Sequence, residues 1–159
     1  EMNMRRADRE VREPERIEGI LSECQVCRVG FQDGPETYIV PMSFGWQKRD
    51  GGYVLYFHGA SEGRKRKLIR SGPQVGFEMD CGYALKPAAM ACGFTAAFRS
   101  IIGSGRMEEV TDLQEKQAGL NCLMAHYSGR ADWQYPPEML ARLCVFRLQV
   151  RELSCKEHL

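Results

Sequence analysis

The chain has 159 residues, 43% hydrophobic and 27% charged, enough for one well-formed core and too few for two ordinary domains. Its 22 basic and 21 acidic residues leave a formal net charge of +1, which supplies no field that would draw in nucleic acid. No apolar run approaches the roughly 18 residues that a membrane helix needs, and Glu1-Met2-Asn3-Met4-Arg5-Arg6 lacks the apolar stretch of a signal peptide, so a cytoplasmic protein without membrane contact is expected.

The first dozen residues are highly charged and read as an N-terminal arm (1–12), followed by one domain (13–155). Pro14 in a first-turn position, with Ile17, Ile20, Leu21 and Cys24 at helical spacing, predicts an amphipathic helix over Glu13–Glu23. Val26–Phe31, an Asp33-Gly34-Pro35 turn and Thr37–Phe44 then predict a β-hairpin. After Asp50-Gly51-Gly52 comes a strand over Tyr53–His58, and a helix over Glu62–Arg70 that ends near Gly72-Pro73. Val75–Met79 reads as a fourth strand. Asp80–Ala97 shows no clean period and reads as a long loop, of the kind that usually has a function. Phe98–Val110 is a fifth strand bent at Gly103 and Gly105. Asp112 caps a helix running to about His126, a short helix follows around Glu138–Leu143, and Val145–Leu153 alternates as a sixth strand.

Six strands joined by hairpins or short helices predict a mainly β (α+β) architecture, an antiparallel sheet closed into a small barrel with helices outside. A doubly wound dinucleotide fold is disfavoured, because no Gly-x-Gly-x-x-Gly turn follows the first strand and Gly103-Ser104-Gly105-Arg106 lies within a strand pattern. The seven cysteines, an odd number without a paired framework, read as reduced and mostly buried thiols. Cys24-Gln25-Val26-Cys27 has ligand-like spacing but no second pair, and an odd separation in a strand points its members to opposite faces. No metal site is expected.

The most informative segment is Tyr53-Val54-Leu55-Tyr56-Phe57-His58-Gly59-Ala60-Ser61-Glu62-Gly63-Arg64-Lys65-Arg66-Lys67-Leu68, a strand that empties into a Gly-flanked turn and a basic helix start. Unpaired backbone N–H groups and the side chains of Arg64 and Lys65 make it a candidate anion site, suited to a phosphorylated cofactor. His58 stands at the strand end, on the rim where the reactive part of such a ligand lies.

Four motifs in this order, Met4-Arg5-Arg6-x-Asp8-Arg9-Glu10, Ile39-Val40-Pro41-Met42-Ser43-Phe44-Gly45, Leu55-Tyr56-Phe57-His58-Gly59-Ala60-x-x-Gly63-Arg64-Lys65 and Arg99-Ser100-Ile101-Ile102-Gly103-x-Gly105-Arg106-x-Glu108, make the chain resemble the FMN-binding split-barrel proteins related to pyridoxamine 5′-phosphate oxidase. Its strongest similarity is to the branch of 5-nitroimidazole resistance proteins. The resemblance spans about Met4–Leu153 and implies a homodimer with two FMN molecules at the shared interface, FAD being the alternative flavin. It implies that Gly63, Arg64 and Lys65 hold the FMN phosphate, that the backbone of Val40, Pro41, Met42, Ser43 and Phe44 runs along the isoalloxazine ring, and that His58, Gly59 and Ala60 end the next strand beside the flavin. Arg99 and Ser100 match the oxidases' Arg-Gln pair, with a shorter hydroxyl in place of the amide. Phe44, Tyr56 and Trp133 are candidate ring neighbours, and Trp133 either covers the partner's flavin or pins its own loop.

Each feature has an ordinary structural reading beside the functional one. A short charge run is by default a solvated helix face; the resemblance favours a phosphate role for Arg64 and Lys65 and leaves Arg66 and Lys67 on the surface. His58 read alone is a core histidine, and the resemblance makes it the first choice for a group that touches substrate or passes a proton. His126 reads as a helix-end residue. The leading expectation is a flavin-dependent, nitroreductase-like oxidoreductase that passes electrons from NAD(P)H to a small electron-poor substrate. Pyridoxamine phosphate oxidation itself is disfavoured for want of a second basic cluster. The competing expectations are a flavin store or redox sensor without turnover, and a haem-binding split barrel with His58 or His126 as axial ligand.

Overall fold

The computed structural model describes residues 4–159; the first three residues of the expected arm lie outside them. Eight strands form one antiparallel sheet: β1 (Glu10–Val11), β2 (Cys27–Asp33), β3 (Glu36–Met42), β4 (Gly45–Arg49), β5 (Gly52–Gly59), β6 (Gln74–Lys86), β7 (Thr95–Val110) and β8 (Cys144–His158). Four helices accompany them: α1 (Pro14–Glu23), α2 (Arg64–Ile69), α3 (Leu113–Ser128) and α4 (Pro137–Arg142). The strand order is β3-β2-β6-β7-β8-β5-β4, with β1 paired to β8. Only Ser43 and Phe44 separate β3 from β4 in the chain, yet these strands stand at opposite ends of that order. The sheet therefore curls until its two edges approach each other, the split barrel expected from the sequence.

Eight strands replace the six expected. The segment Asp80–Ala97 is mostly ladder rather than loop: β6 continues to Lys86 and β7 begins at Thr95, paired through Ala84↔Ala97, Leu85↔Ala96 and Lys86↔Thr95 after a register shift at Cys81/Ala84. Gly82 takes φ 68° at that irregularity, a left-handed conformation that glycine adopts without steric cost. Gly45–Arg49 is a further strand on β5, and the last strand continues past Leu153 to His158. The expected bend near Gly103 and Gly105 coincides with a β7–β8 register shift at Ser104/Gly105. A Cβ at Gly105 would lie 2.0 Å from the Gln149 carbonyl oxygen, so only glycine lets the two strands pass there.

Alternation along β5 builds two cores. Leu55 and Phe57 point into the barrel with Phe31, Phe44, Phe77, Met79, Met107, Phe146 and Leu148, while Val54 and Tyr56 face outward under α3 and α4 with Val110, Leu120, Leu140 and Val145, as the two-residue period of a strand requires. The Asp112 side chain accepts from the Glu115 N–H at 2.9 Å and caps α3 as predicted. Gly45 lets β4 touch that helix: a Cβ there would lie 2.4 Å from the Cys122 carbonyl carbon. Cys24 ends α1 and Cys27 opens β2, both fully buried.

Candidate functional site

β4 pairs with β5 only from Gly45↔Tyr56 onward, so the β5 edge at Phe57, His58 and Gly59 continues past the start of β4. β3 pairs with β2 alone among the described residues. Two open strand edges thus flank the split, one carrying Val40, Pro41 and Met42 and the other His58 and Gly59. Their backbone polar groups are available to a ligand that brings its own donors and acceptors.

The turn after β5 closes one end of this split. Gly63 takes φ 127° and α2 starts at Arg64. The Arg64 Nε donates to Asp33 Oδ2 at 2.8 Å and its Nη2 to Glu36 Oε2 at 3.1 Å, while the guanidinium lies 4.1 Å from the Tyr38 ring centroid. The exposed Arg64 is therefore a tether that ties α2 to the β2–β3 turn, and both its forks are taken by carboxylates. Lys65 is different. Its side chain runs against Gly59, where a Cβ would lie 3.0 Å from Lys65 Cε and 3.3 Å from Nζ. Burial lowers its pKa, with no carboxylate offsetting that shift. A half-buried ammonium without an anion is costly unless something supplies one.

His58 is exposed at the end of β5. Desolvation of its imidazole lowers its pKa, and the nearby Lys65 ammonium lowers it further, so both favour the neutral ring. Arg66, expected on the surface, is half-buried: its Nε donates to Glu109 Oε1 at 3.0 Å and its Nη1 to the Ser61 carbonyl. Beside it, Ser61, Glu62, Gly63, Arg66, Lys67 and Arg70 line an open depression of about 510 Å³.

The structure brings Val40, Pro41, Met42, Ser43, His58, Gly59, Ala60, Gly63 and Lys65 to the two sides of one split. It does not bring Arg99 and Ser100 there. Arg99 pairs with Glu157 of β8 whereas His58 pairs with Val145, twelve residues apart along the same strand, a path of roughly 40 Å at the rise of a β-strand. Phe44 and Tyr56 are fully buried and offer a ligand no side-chain surface. Phe44 instead stacks on His126, ring centroids 4.5 Å apart, and the Tyr56 hydroxyl accepts from Arg49 at 2.8 Å. Trp133 is half-buried, its Nε1 donating to Ser128 Oγ at 3.2 Å and its ring 4.3 Å from the Arg130 guanidinium carbon, which pins the loop that carries it.

Sequence reasoning missed the clamp that sets the β3–β4 link. The Phe44 N–H donates to the Tyr127 hydroxyl at 3.0 Å, and that hydroxyl donates to the Gln25 carbonyl at 2.7 Å. His126 Nε2 lies 2.6 Å from the Cys24 carbonyl oxygen. Adjacent polar aromatics at a helix end, His126-Tyr127, were the only local signal. A groove of about 500 Å³ along α3, lined by Ser22, Trp46, Asn121, Cys122 and His126 among others, holds none of the residues expected to bind flavin. Among the described residues no group of three or more His, Cys, Asp or Glu side chains is arranged to hold a metal ion, and no helix is long and apolar enough to cross a membrane.

Comparison with known proteins agrees with this geometry. A family model described as pyridoxamine 5′-phosphate oxidase matches residues 13–157. A suspected 5-nitroimidazole antibiotic resistance protein from Bacteroides thetaiotaomicron superposes with a TM-score of 0.78 at 26% identity, covering 92% of this chain and 85% of that one. A flavocytochrome from Azotobacter vinelandii superposes with a TM-score of 0.80 at 22% identity, over 99% of this chain and 72% of that one. An FAD-binding protein from Mesorhizobium loti gives 0.64 at 20% identity, over 95% and 98%. The last two show a shared fold. No curated protein matches the chain.

Proposed function

The chain belongs to the pyridoxamine 5′-phosphate oxidase family, and from that premise we propose that it is a flavoprotein that binds FMN in the split between β3 and β5 and acts as an oxidoreductase. In this reading it takes electrons from a reduced nicotinamide and passes them to a small electron-poor molecule such as a nitroaromatic. The observation that carries the reading is Lys65, a half-buried cation whose charge no carboxylate offsets, at the closed end of a split with two open strand edges.

The residues present fit the cofactor. FMN has a dianionic phosphate, a flat apolar ring and a uracil-like polar edge, and needs a cation, apolar surface and backbone donors and acceptors in that order. Lys65 and the backbone at Gly63–Lys65 would hold the phosphate. Val40 and Gly59 would flank the ring, and the open backbone edge from Pro41 to Phe44 would meet the polar end. When bound, FMN supplies reversible hydride and electron transfer. The chain's own contribution is to fix that group, exclude water along the apolar walls, and hold the neutral His58 imidazole at the rim, where it accepts or donates a proton to a substrate atom. Arg64 takes a phosphate contact only by giving up Asp33 or Glu36, so its first role in this reading is to anchor α2.

The separation of Arg99 and Ser100 from His58 fits a homodimer in which each chain lends these residues to its partner's flavin. Seven unpaired thiols fit a reducing cytoplasm. The haem alternative loses one of its ligands, because His126 Nε2 is held by the Cys24 carbonyl.

Anaerobic mixing of the FMN-loaded protein with NADH or NADPH tests the activity. Loss of the oxidised flavin band, its return on adding a nitroimidazole, and a reoxidation rate roughly 10²-fold lower in His58→Ala would support turnover. A flavin band that neither nicotinamide touches would leave a flavin store.

A further inference from the structure

The turn after β5, α2, the end of β7, α3 and α4 converge on an open cavity of about 480 Å³, whose polar lining is Ser61, Arg66, Glu109, Thr111, Lys116 and Arg142. Neither Lys65 nor His58 lines it. Lys116 is only 8% exposed. Its ammonium donates to the Leu140 carbonyl, and no carboxylate pairs with it among the described residues. An ammonium carries three N–H donors and a full charge, so a single carbonyl leaves much of the cost of burying it unanswered. The Arg66 Nε donates to Glu109 Oε1 at 3.0 Å and its Nη1 to the Ser61 carbonyl, which leaves Nη2 without a protein acceptor among the described residues. Arg142, the last residue of α4, is exposed and in no ion pair among the described residues. Three cations therefore line a cavity with one carboxylate, and Arg66 already holds that carboxylate.

We propose that this cavity binds a phosphate monoester, a small dianion carried on an apolar body. The inference does not depend on the flavin reading. Arg66, Lys116 and Arg142 against Glu109 leave the lining with an excess of two positive charges, and a phosphate monoester at pH 7 brings about −1.5 to −2. A monocarboxylate would leave one cation unmatched. Phosphate also presents three terminal oxygens, enough to accept from Lys116, Arg66 Nη2 and Arg142 together, with the Ser61 and Thr111 hydroxyls as further donors. Lys116 is the fixed member of the set. It sits one turn into α3, its backbone N–H donating to the Asp112 carbonyl at 2.9 Å, and its burial limits the screening of its charge by salt. Arg142 is the exposed member, placed to close over a bound anion. Val110, Ala141 and Leu143 give the cavity an apolar wall for the organic part of the ligand, and its volume falls in the range of about 300–1,000 Å³ usual for small-molecule sites.

The test titrates the full chain with phenyl phosphate by calorimetry, beside inorganic phosphate and benzoate as probes that lack the ring or the second charge. The expected result is a phenyl phosphate site that survives in Lys65→Met and that benzoate fills at least about tenfold more weakly. Lys116→Met weakens phenyl phosphate binding roughly tenfold to a hundredfold, and Arg142→Gln weakens it roughly twofold to fivefold. Because Lys116 is buried, a thermal melt checks that its variant folds, and the surface change Arg142→Gln carries the test if it does not. No binding of phenyl phosphate, equal affinity for benzoate or for inorganic phosphate, unchanged binding in Arg142→Gln, or binding lost only in Lys65→Met would each overturn the proposal.

Discussion

The side chain of Lys65 lies against the α-carbon of Gly59: a methyl group at position 59 would sit 3.0 Å from Lys65 Cε, 3.3 Å from Nζ and 3.1 Å from the Phe146 ring. A fully buried aromatic closes one side, so the lysine must yield to any side chain at 59. Gly59→Ala displaces the ammonium and Lys65→Met removes it. A hydrogen bond to a charged group is worth about 1.5–3 kcal/mol, so FMN affinity measured by fluorescence quenching falls roughly tenfold to a hundredfold in Lys65→Met and by a similar factor in Gly59→Ala. Unchanged affinity in both would remove Lys65 from the site.

Lys65 also sets a pH signature. Its pKa is lowered by burial in the protein without ligand, and a bound phosphate favours its charged form. Binding of FMN therefore takes up protons as the pH approaches that lowered value, and affinity declines as the pH rises through it. Calorimetry in buffers of different ionisation heat at alkaline pH measures the uptake, and Lys65→Met abolishes it.

His58 carries the opposite kind of linkage. Desolvation and Lys65 hold its pKa below the ordinary 6.5, so the unfolded chain takes up this proton more readily than the folded one. The stability associated with the neutral ring is fully present above pH 6.5 and is lost as the pH falls through that value toward the lower folded one. Thermal melts between pH 7.5 and about 5 show a decline that is shallower in His58→Gln.

Tyr127 is the predicted weak point of the β3–β4 link. Tyr127→Phe strips the Phe44 N–H and the Gln25 carbonyl of one shared partner. Removing such a hydroxyl costs about 1–2 kcal/mol, visible as a lower denaturation midpoint in urea at unchanged slope. The cost falls on Ser43 and Phe44, so FMN affinity drops in the same variant, while a distant surface change such as Glu138→Gln alters neither.

Local pattern carried most of the fold. Pro14, Ile17, Ile20 and Leu21 define α1 because one face of that helix is buried, and Asp112 marks the start of α3 by a cap that acts within three residues. Where both faces of a strand meet water, the period vanishes. Tyr83 and Leu85 are 71% and 56% exposed, so the outer part of the β6–β7 hairpin reads as loop, and Gly82 and Pro87 reinforce that reading. Gln47, Lys48 and Arg49 hide β4 in the same way. At the site, Gly63-Arg64-Lys65 suggests an anion cradle, but the sequence offers no means of ranking the two cations. Arg64 is neutralised by Asp33 and Glu36, 31 and 28 residues away, and Lys65, against a glycine six residues earlier, has no carboxylate partner among the described residues. That division is a tertiary fact.

The most direct test of the central claim is the absorption spectrum of the purified protein, before and after adding FMN, with mass analysis of the ligand released on denaturation. The account predicts flavin bands, FMN as the released species, and weak uptake of added FMN by Lys65→Met. A colourless protein that takes up no added FMN, or a haem Soret band in place of flavin absorption, would contradict it.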